Sequence, residues 1–358
     1  MIFLTNEQRE CFGLNPVCAH WECIEVKASP YDHYKTFLFL NADEIVKCIT
    51  AGDSEYCEYE LSEQVSPDRK YLLPKTAKGK PVILTASTIA KRTGIGMRLS
   101  FAHSHYIDIY NLNTGCAYYS NHYLNDGISD MGSFWKWVDD WCRETTDADK
   151  ADILYFSQQI RKKVKYREGD VFRFRIDRRR YGYGRVLLDY GKMRKNKEQF
   201  WDIIGYVPLV CSVYHIMTER SDVTVDELKA LGSLPSTIIA DNSLYYGEHE
   251  IIGNIPISDH EDYPIMYGNN IAFGEKAVCY QCGKIFRKLE KEQELYSGFI
   301  NNGIGFYLNI KDDVLRACID ERSNAPYWNL YHEYITEKDL RNPEHKEKLM
   351  KIKEQFKL

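Results

Sequence analysis

The sequence lacks the segments that direct a chain into or across a membrane. Its first ten residues, MIFLTNEQRE, become polar after position 4 and contain no apolar core of the signal-peptide type. The most apolar stretch, residues 203–217, is interrupted by Gly205 and Pro208 and is shorter than the roughly 20 residues that cross a bilayer. These absences predict a soluble, cytoplasmic protein.

Signatures of nucleotide binding and of hydrolysis are also missing. Gly94 and Gly96 precede a predicted strand without the Lys-Ser or Lys-Thr pair of a phosphate loop. The Gly-x-Ser-x-Gly pattern of serine hydrolases is absent. The eleven cysteines are an odd number without a framework spacing, which is more typical of reduced thiols than of secreted disulfides. The sequence therefore gives no catalytic residue and indicates a reducing compartment.

Two candidate metal sites are incomplete. His103 and His105 share one face of a predicted strand, but no further His and Asp ligands follow at the ends of later strands. Cys279 and Cys282 have the spacing of half a zinc knuckle, whereas a structural zinc requires about four ligands. The thiols that could complete that site, if the N-terminal region folded back, are Cys18 and Cys23. We predict no bound metal and no cofactor.

The composition is that of a globular protein. Apolar residues make up 44% of the 358 residues and charged residues 28%, so the chain can bury more than one core. Tyrosine is abundant, with 27 residues against 15 Phe and 6 Trp. This amphipathic surplus suits β-sheets and recognition surfaces equally well.

Residues 1–160 predict an antiparallel β-meander covered by helices. Apolar alternation and turn-forming residues indicate short strands at residues 21–26, 35–40, 44–50, 56–61, 97–101, 106–112 and 116–121. From Ser133 the period becomes helical, because Phe134, Val138 and Trp141 recur on one face. A second helix begins near Asp147. We expect the two helices to cover one face of the sheet.

A β-hairpin is predicted over residues 171–188. Phe172, Phe174 and Ile176 alternate with Arg173 and Arg175, which predicts a strand with one buried and one open face.

In the second strand of this hairpin, Tyr181, Tyr183 and Arg185 share one side, and Gly182 and Gly184 occupy the other. Glycines there either let the strand bend around a small barrel or let another backbone approach closely. We favour bending.

The hairpin and its flanks resemble the bacterial immunity protein 26 family. The segments that carry the resemblance are KYREGDVF at residues 165–172, YGYGRV at 181–186, YGE at 246–248 and IGNIPI at 252–257. The resemblance covers about residues 161–285 and implies a mostly-β domain that protects a cell against a polymorphic toxin. Some relatives carry the label phosphotriesterase, but the family has no catalytic signature to place on this chain.

These patterns together predict an α+β protein in three parts. Residues 1–160 form the N-terminal α+β domain, and residues 161–285 form a mostly-β, small-barrel-like domain. Residues 286–358 form a C-terminal extension with helices, expected at 312–322 and 343–358.

Positive charge is concentrated around the hairpin. Residues 161–185 hold eleven Lys or Arg against three acidic residues, a local charge of +8 that leaves −13 on the rest of the chain. Such a patch could meet phosphates or an acidic protein. The alternative is that these side chains are only the solvated faces of a helix end and a hairpin.

We expect the chain to be an immunity protein that binds a cognate toxin without catalysis. The predicted partner-binding residues are Arg173, Arg175, Arg180, Tyr181, Tyr183 and Arg185. One alternative is that Tyr183 and Arg185 pack inside the domain instead. Others are a nucleic-acid-binding module that uses the same side chains, or a hydrolase as some relatives are labelled.

Overall fold

A computed structural model of the protein describes residues 3–28, 33–102, 106–122, 127–195, 208–234, 236–258, 267–272, 275–289, 310, 314, 318, 340 and 343–356. The chain separates into two compact units, Met1–Lys162 and Lys163–Leu358. The three-part division into residues 1–160, 161–285 and 286–358 stays a prediction.

The first unit is built around a nine-stranded antiparallel sheet. Its strands are β1 (Glu22–Val26), β2 (Tyr34–Asn41), β3 (Glu44–Gly52), β4 (Tyr56–Val65), β5 (Tyr71–Leu73), β6 (Val82–Ile83), β7 (Ile95–Phe101), β8 (Ile107–Asn111) and β9 (Cys116–Ser120). Its helices are α1 (Asn6–Cys11), α2 (Ala86–Ile89), α3 (Met131–Glu144) and α4 (Asp147–Ser157). The main strand order is β1-β2-β3-β4-β7-β8-β9, and β5 and β6 extend from β4. The predicted meander is confirmed.

Both faces of this sheet carry apolar side chains, so it forms two cores. On one face, Phe134 and Val138 of α3 and Ile153 of α4 pack with strand residues such as Leu99. Polar caps fix where these helices begin, since Asp130 accepts a hydrogen bond from the Ser133 backbone N at 2.7 Å. The predicted helical cover is confirmed. The second core lies under β5, β6 and α2.

The second unit contains a five-stranded sheet and a three-stranded sheet. The five-stranded sheet has the order β13-β12-β11-β10-β14, with β10 (Asp170–Arg175), β11 (Tyr181–Asp189), β12 (Pro208–Val213), β13 (Thr237–Ala240) and β14 (Glu250–Asn254). The three-stranded sheet consists of β15 (Tyr267–Ala272), β16 (Glu275–Cys282) and β17 (Ile285–Leu289). The helices among the described residues of this unit are α5 (Tyr190–Lys195), α6 (Val225–Lys229), α7 (Asn242–Tyr245) and α8 (Lys346–Phe356).

The mixed α+β class is confirmed, while the barrel is not. Over the residues with assigned positions, the strands of the second unit form open antiparallel sheets. Apolar side chains from both faces of the five-stranded sheet are covered, so closure into a barrel is not needed to bury them. The C-terminal helix is confirmed as α8, and most of the helix expected at 312–322 lies outside the described residues.

Among the helices that the structure describes, none combines the length and the apolar character needed to cross a lipid bilayer.

Candidate functional site

The hairpin of β10 and β11 is confirmed, and its two glycines make room for two phenyl rings. Gly184 lies opposite Phe172, and Gly182 lies opposite Phe174. A Cβ on either glycine would stand 2.4 Å from the Cζ atom of the facing ring. The far end of each ring therefore occupies the space over the facing glycine, where any side chain would collide with it. This packing, rather than bending or a close backbone, explains the alternation of tyrosine and glycine.

The turn that leads into β10 is fixed by Gly169 and Asp170. Gly169 has φ +87°, and a Cβ there would lie 2.6 Å from the Ile255 carbonyl oxygen. The buried Asp170 carboxylate accepts hydrogen bonds from the Arg167 backbone N and from Asn254 Nδ2, both at 2.8 Å. Asp170 thereby holds the turn and joins β10 to β14.

Arg185 and Tyr183 complete the same frame. Arg185 donates from Nε to the Ile255 carbonyl at 3.0 Å and from Nη2 to the Pro256 carbonyl at 2.9 Å. Tyr183 is fully buried, and its hydroxyl donates to the Arg220 carbonyl at 2.8 Å. Burial raises the pKa of Tyr183 to about 12, against the opposing effect of the Arg173 charge, so the hydroxyl stays protonated as a donor. The side chains of Tyr183 and Arg185 therefore pack within the domain, as the alternative interpretation of the sequence expected.

The remaining predicted residues form a surface that we call the arginine face: Arg173, Arg175 and Tyr181. Both guanidinium carbons lie 5.1 Å from the centre of the Tyr181 ring, within cation–π range. Arg173 donates to the Ser221 carbonyl and to the Glu250 carboxylate. Arg175 donates to the Arg178 carbonyl at 2.8 Å. All three side chains are half-buried, so they are held in place and still reach solvent.

Arg180 belongs to the tip of the hairpin. The Asp177 carboxylate accepts hydrogen bonds from the backbone N of Arg179 at 3.0 Å and of Arg180 at 2.9 Å, an arrangement typical of an Asx turn. The Arg180 guanidinium also pairs with Asp177. Arg180 therefore has a structural partner within its own turn.

Acidic partners make the surface around the hairpin one of mixed charge. Arg173 pairs with Glu250, Arg180 with Asp177, and Arg220 is 3.0 Å from Asp222. The strand pattern predicted the face that Arg173, Arg175 and Tyr181 share, but not the burial of Tyr183 on that face. The pattern could not predict that Glu250 and residues 218–222 contact the hairpin, because these residues are distant in sequence and no local pattern relates them to it.

The candidate metal ligands add nothing to this site. His103 and His105 lie outside the described residues, as do the side chains of Cys279 and Cys282, whose backbone belongs to β16. Cys23 is exposed and Cys18 is half-buried. Within the portion of the chain with assigned positions, no group of three or more His, Cys, Asp or Glu residues could hold an ion.

The arginine face is suited to binding. A guanidinium stays protonated in proteins and offers donors in a planar fork that matches a carboxylate, while an aromatic ring adds apolar contact area. Arg and Tyr are enriched among the residues that dominate protein–protein affinity. The arrangement can therefore anchor an acidic or aromatic group of another macromolecule.

Residues 167–278 match the family model described as Immunity protein 26. The match confirms the resemblance that the sequence motifs carry, and it spans the turn at Gly169, the hairpin, and β12 to β15. The chain matches no curated protein and no solved structure.

Proposed function

We propose that this chain is an immunity protein that binds a bacterial polymorphic toxin in the cytoplasm and neutralises it without a reaction of its own. The observation that carries the proposal is the match of residues 167–278 to an immunity protein family. A family of this kind implies a toxin as partner. The identity of the toxin and the contact surface are part of the proposal.

Some residues of the hairpin stabilise the fold and others remain accessible, which supports the arginine face as the contact surface. The residues that carry the family resemblance hold the fold: Gly169, Asp170, Gly182, Gly184, Arg185 and Asn254 are engaged in packing or internal hydrogen bonds. Arg173, Arg175 and Tyr181 lie on the same two strands, on the face that also carries Tyr183 and Arg185. They are the part of the hairpin that the frame leaves accessible.

The contacts of the arginine face favour tight binding. Side chains that are already held lose little conformational freedom when a partner docks, which removes part of the cost of association. Arg173 has only 21% of its side chain exposed, whereas its partner Glu250 has 61%. A carboxylate of the toxin can therefore replace or join Glu250 at the guanidinium without unfolding the hairpin.

Charge reversal at the arginine face tests the proposal. Arg175→Glu and Tyr181→Ala are each expected to weaken toxin binding by about 2 kcal/mol, roughly thirtyfold, because central Arg and Tyr anchors commonly contribute this much. The measurements are calorimetric affinity for the toxin encoded beside this protein and survival of cells that express it. Arg143→Glu, on an exposed position of α3, is the matched control.

A charge swap separates partner contact from internal support. In Arg173→Glu combined with Glu250→Arg, the internal ion pair is restored with opposite polarity. If Arg173 acts only by pairing with Glu250, the double variant recovers full protection. We expect protection to stay lost, because the toxin would meet a carboxylate where it requires a guanidinium. Recovery would remove Arg173 from the interface.

Binding to nucleic acid is the competing outcome. Contacts to phosphates are strongest at low salt and weaken steeply as salt rises. We expect no binding of single-stranded RNA or DNA at low salt, since acidic partners offset the arginines around the hairpin. Salt-dependent binding that Arg175→Glu abolishes, with toxin binding unchanged, would replace the proposal with a nucleic-acid-binding function.

A further inference from the structure

The sheet of the first unit presents a row of three polar side chains across β4, β7 and β8. Tyr59 lies opposite Arg98, and Arg98 lies opposite Tyr110. We call these residues the Tyr-Arg-Tyr row. Their chain neighbours Glu58, Leu99 and Ile109 are fully buried on the side that the helices cover, whereas the row itself is half-buried. The row therefore stands on the opposite face, where Tyr59 packs against the second core.

Arg98 is a guanidinium without a compensating charge. Its Nε atom is buried and has no hydrogen-bond partner, and within the described part of the chain no carboxylate forms an ion pair with it. The guanidinium lies over the Tyr110 ring, with its carbon 5.1 Å from the ring centre. Arg9, by contrast, has a counter-charge, since its guanidinium donates to both carboxylate oxygens of Glu58 at 2.6 and 3.2 Å.

Cys57 and Tyr59, which lie beside Arg98, stay neutral and do not supply the missing charge. Burial raises the pKa of the Cys57 thiol to about 12, although the charge of Arg98 acts in the opposite direction. Burial likewise raises the pKa of Tyr59. The buried Nε is closed to a ligand, but a carboxylate that binds the outer guanidinium nitrogens of Arg98 would supply the missing charge.

Both tyrosines are held in place before any ligand arrives. A Cβ at Gly94 would lie 2.6 Å from Cδ2 of Tyr59, so the glycine backs directly against that ring. The Tyr110 hydroxyl donates to the Gly115 carbonyl at 2.5 Å. The two rings thus flank the guanidinium in fixed positions, where they can contact a planar or apolar group.

We propose that the Tyr-Arg-Tyr row binds a carboxylate carried on a planar or apolar body. The carboxylate pairs with the outer nitrogens of the Arg98 guanidinium, and the attached body packs beside it against the exposed parts of the two tyrosine rings. A single guanidinium balances one negative charge. A phosphate monoester is the poorer ligand, because its second negative charge has no counter-charge from a single guanidinium and Asp108 stands on the same face. This inference does not depend on the proposed toxin binding.

The test is calorimetric titration of the full chain with three probes of similar shape: benzoate, phenyl phosphate and the neutral benzamide. We expect benzoate to bind most tightly. Arg98→Gln should weaken benzoate binding by about tenfold or more, since it removes both the charge and the fork. Arg98→Lys keeps the charge without the fork and should show an intermediate loss.

Two further variants separate the ring from the hydroxyl of Tyr110. Tyr110→Phe keeps the ring and should retain binding, while Tyr110→Leu should weaken it. Arg143→Gln, on the surface of α3, is the matched control and should bind benzoate as the unmodified chain does. Circular dichroism checks that each variant is folded.

Three results would overturn the inference. They are benzoate binding unchanged in a folded Arg98→Gln variant, benzamide binding as tightly as benzoate, and phenyl phosphate binding more tightly than benzoate. Toxin binding is measured separately with the Arg175→Glu variant, so failure of either proposal leaves the other open to its own test.

Discussion

Glu58 is a fully buried charged residue at the centre of a polar cluster in the first unit. Its fully buried carboxylate accepts hydrogen bonds from Arg9, from Lys47 Nζ at 2.8 Å and from the Tyr56 hydroxyl at 2.6 Å. Burial by itself raises the pKa of Glu58, but the charges of Lys47 and Arg9 outweigh it and the net pKa is lowered. Glu58 is therefore ionised in the fold at neutral pH.

Removal of this charge should destabilise the protein strongly. Glu58→Gln leaves Lys47, which is itself fully buried, without its nearest counter-charge. Losing one member of a buried ion pair typically costs about 3–5 kcal/mol. Urea unfolding of the variant against the unmodified chain measures this cost. Glu25→Gln, at an exposed ion pair with Lys35, is the matched control and should change stability by less than about 1 kcal/mol.

The same carboxylate should make stability depend on acid pH. Because the pKa of Glu58 is lower in the fold than in the unfolded chain, its contribution is fully present above the unfolded value, ~4.3. It is lost as the pH falls through the lower folded value. We expect the stability of the unmodified chain to drop in this acid range, and Glu58→Gln to show a shallower drop. Parallel curves for the two proteins would argue against this role.

Gly184 is the residue on which the packing of the hairpin can be tested. Gly184→Ala places a Cβ 2.4 Å from Phe172 Cζ, so we expect a loss of about 1–3 kcal/mol from overpacking. Phe172→Leu in the same chain should make the alanine less costly, because the colliding ring is gone. A double-mutant cycle measures this coupling, and additive effects would exclude the proposed contact. Gly232→Ala is the control, since its Cβ meets nothing within 4 Å.

At the scale of elements, Arg185 ties β11 to the chain that follows β14. Its two hydrogen bonds reach consecutive carbonyls, at Ile255 and Pro256, which requires the fork of a guanidinium. Arg185→Lys should therefore destabilise the second unit by about 1–3 kcal/mol although the charge is kept. Hydrogen exchange of β14 amides should rise in this variant. Arg143→Lys, on exposed α3, should leave both quantities unchanged.

Local patterns predicted most of these elements, for a physical reason. The sequence pattern shows which side chains are buried, with period-two alternation at Phe172 and Phe174 and helical spacing at Phe134 and Val138. The period of the buried positions then indicates whether the segment is a strand or a helix. The role of Gly182 could not be predicted, because the ring that requires it belongs to another strand. Glu250 and Arg98 are similar cases, since a partner, or its absence, depends on the assembled sheet.

At the scale of the whole molecule, the chain consists of two compact units with separate cores. We expect calorimetric unfolding to show two transitions. Glu58→Gln should lower the midpoint of one, and Gly184→Ala that of the other, because the two substitutions lie in different cores. A single transition that both variants shift equally would show that the units unfold as one.

The way the hairpin is built has a consequence for how proteins of this kind diversify. The residues of the motifs GD, YGxGR and GNIP make hydrogen bonds and ring contacts inside the domain. Two chains that share these motifs are therefore expected to share the fold, but not the partner. Partner choice would then reside in positions outside those motifs, such as Arg173 and Arg175 of β10. Exchanging these two between relatives should transfer toxin preference while thermal stability stays the same.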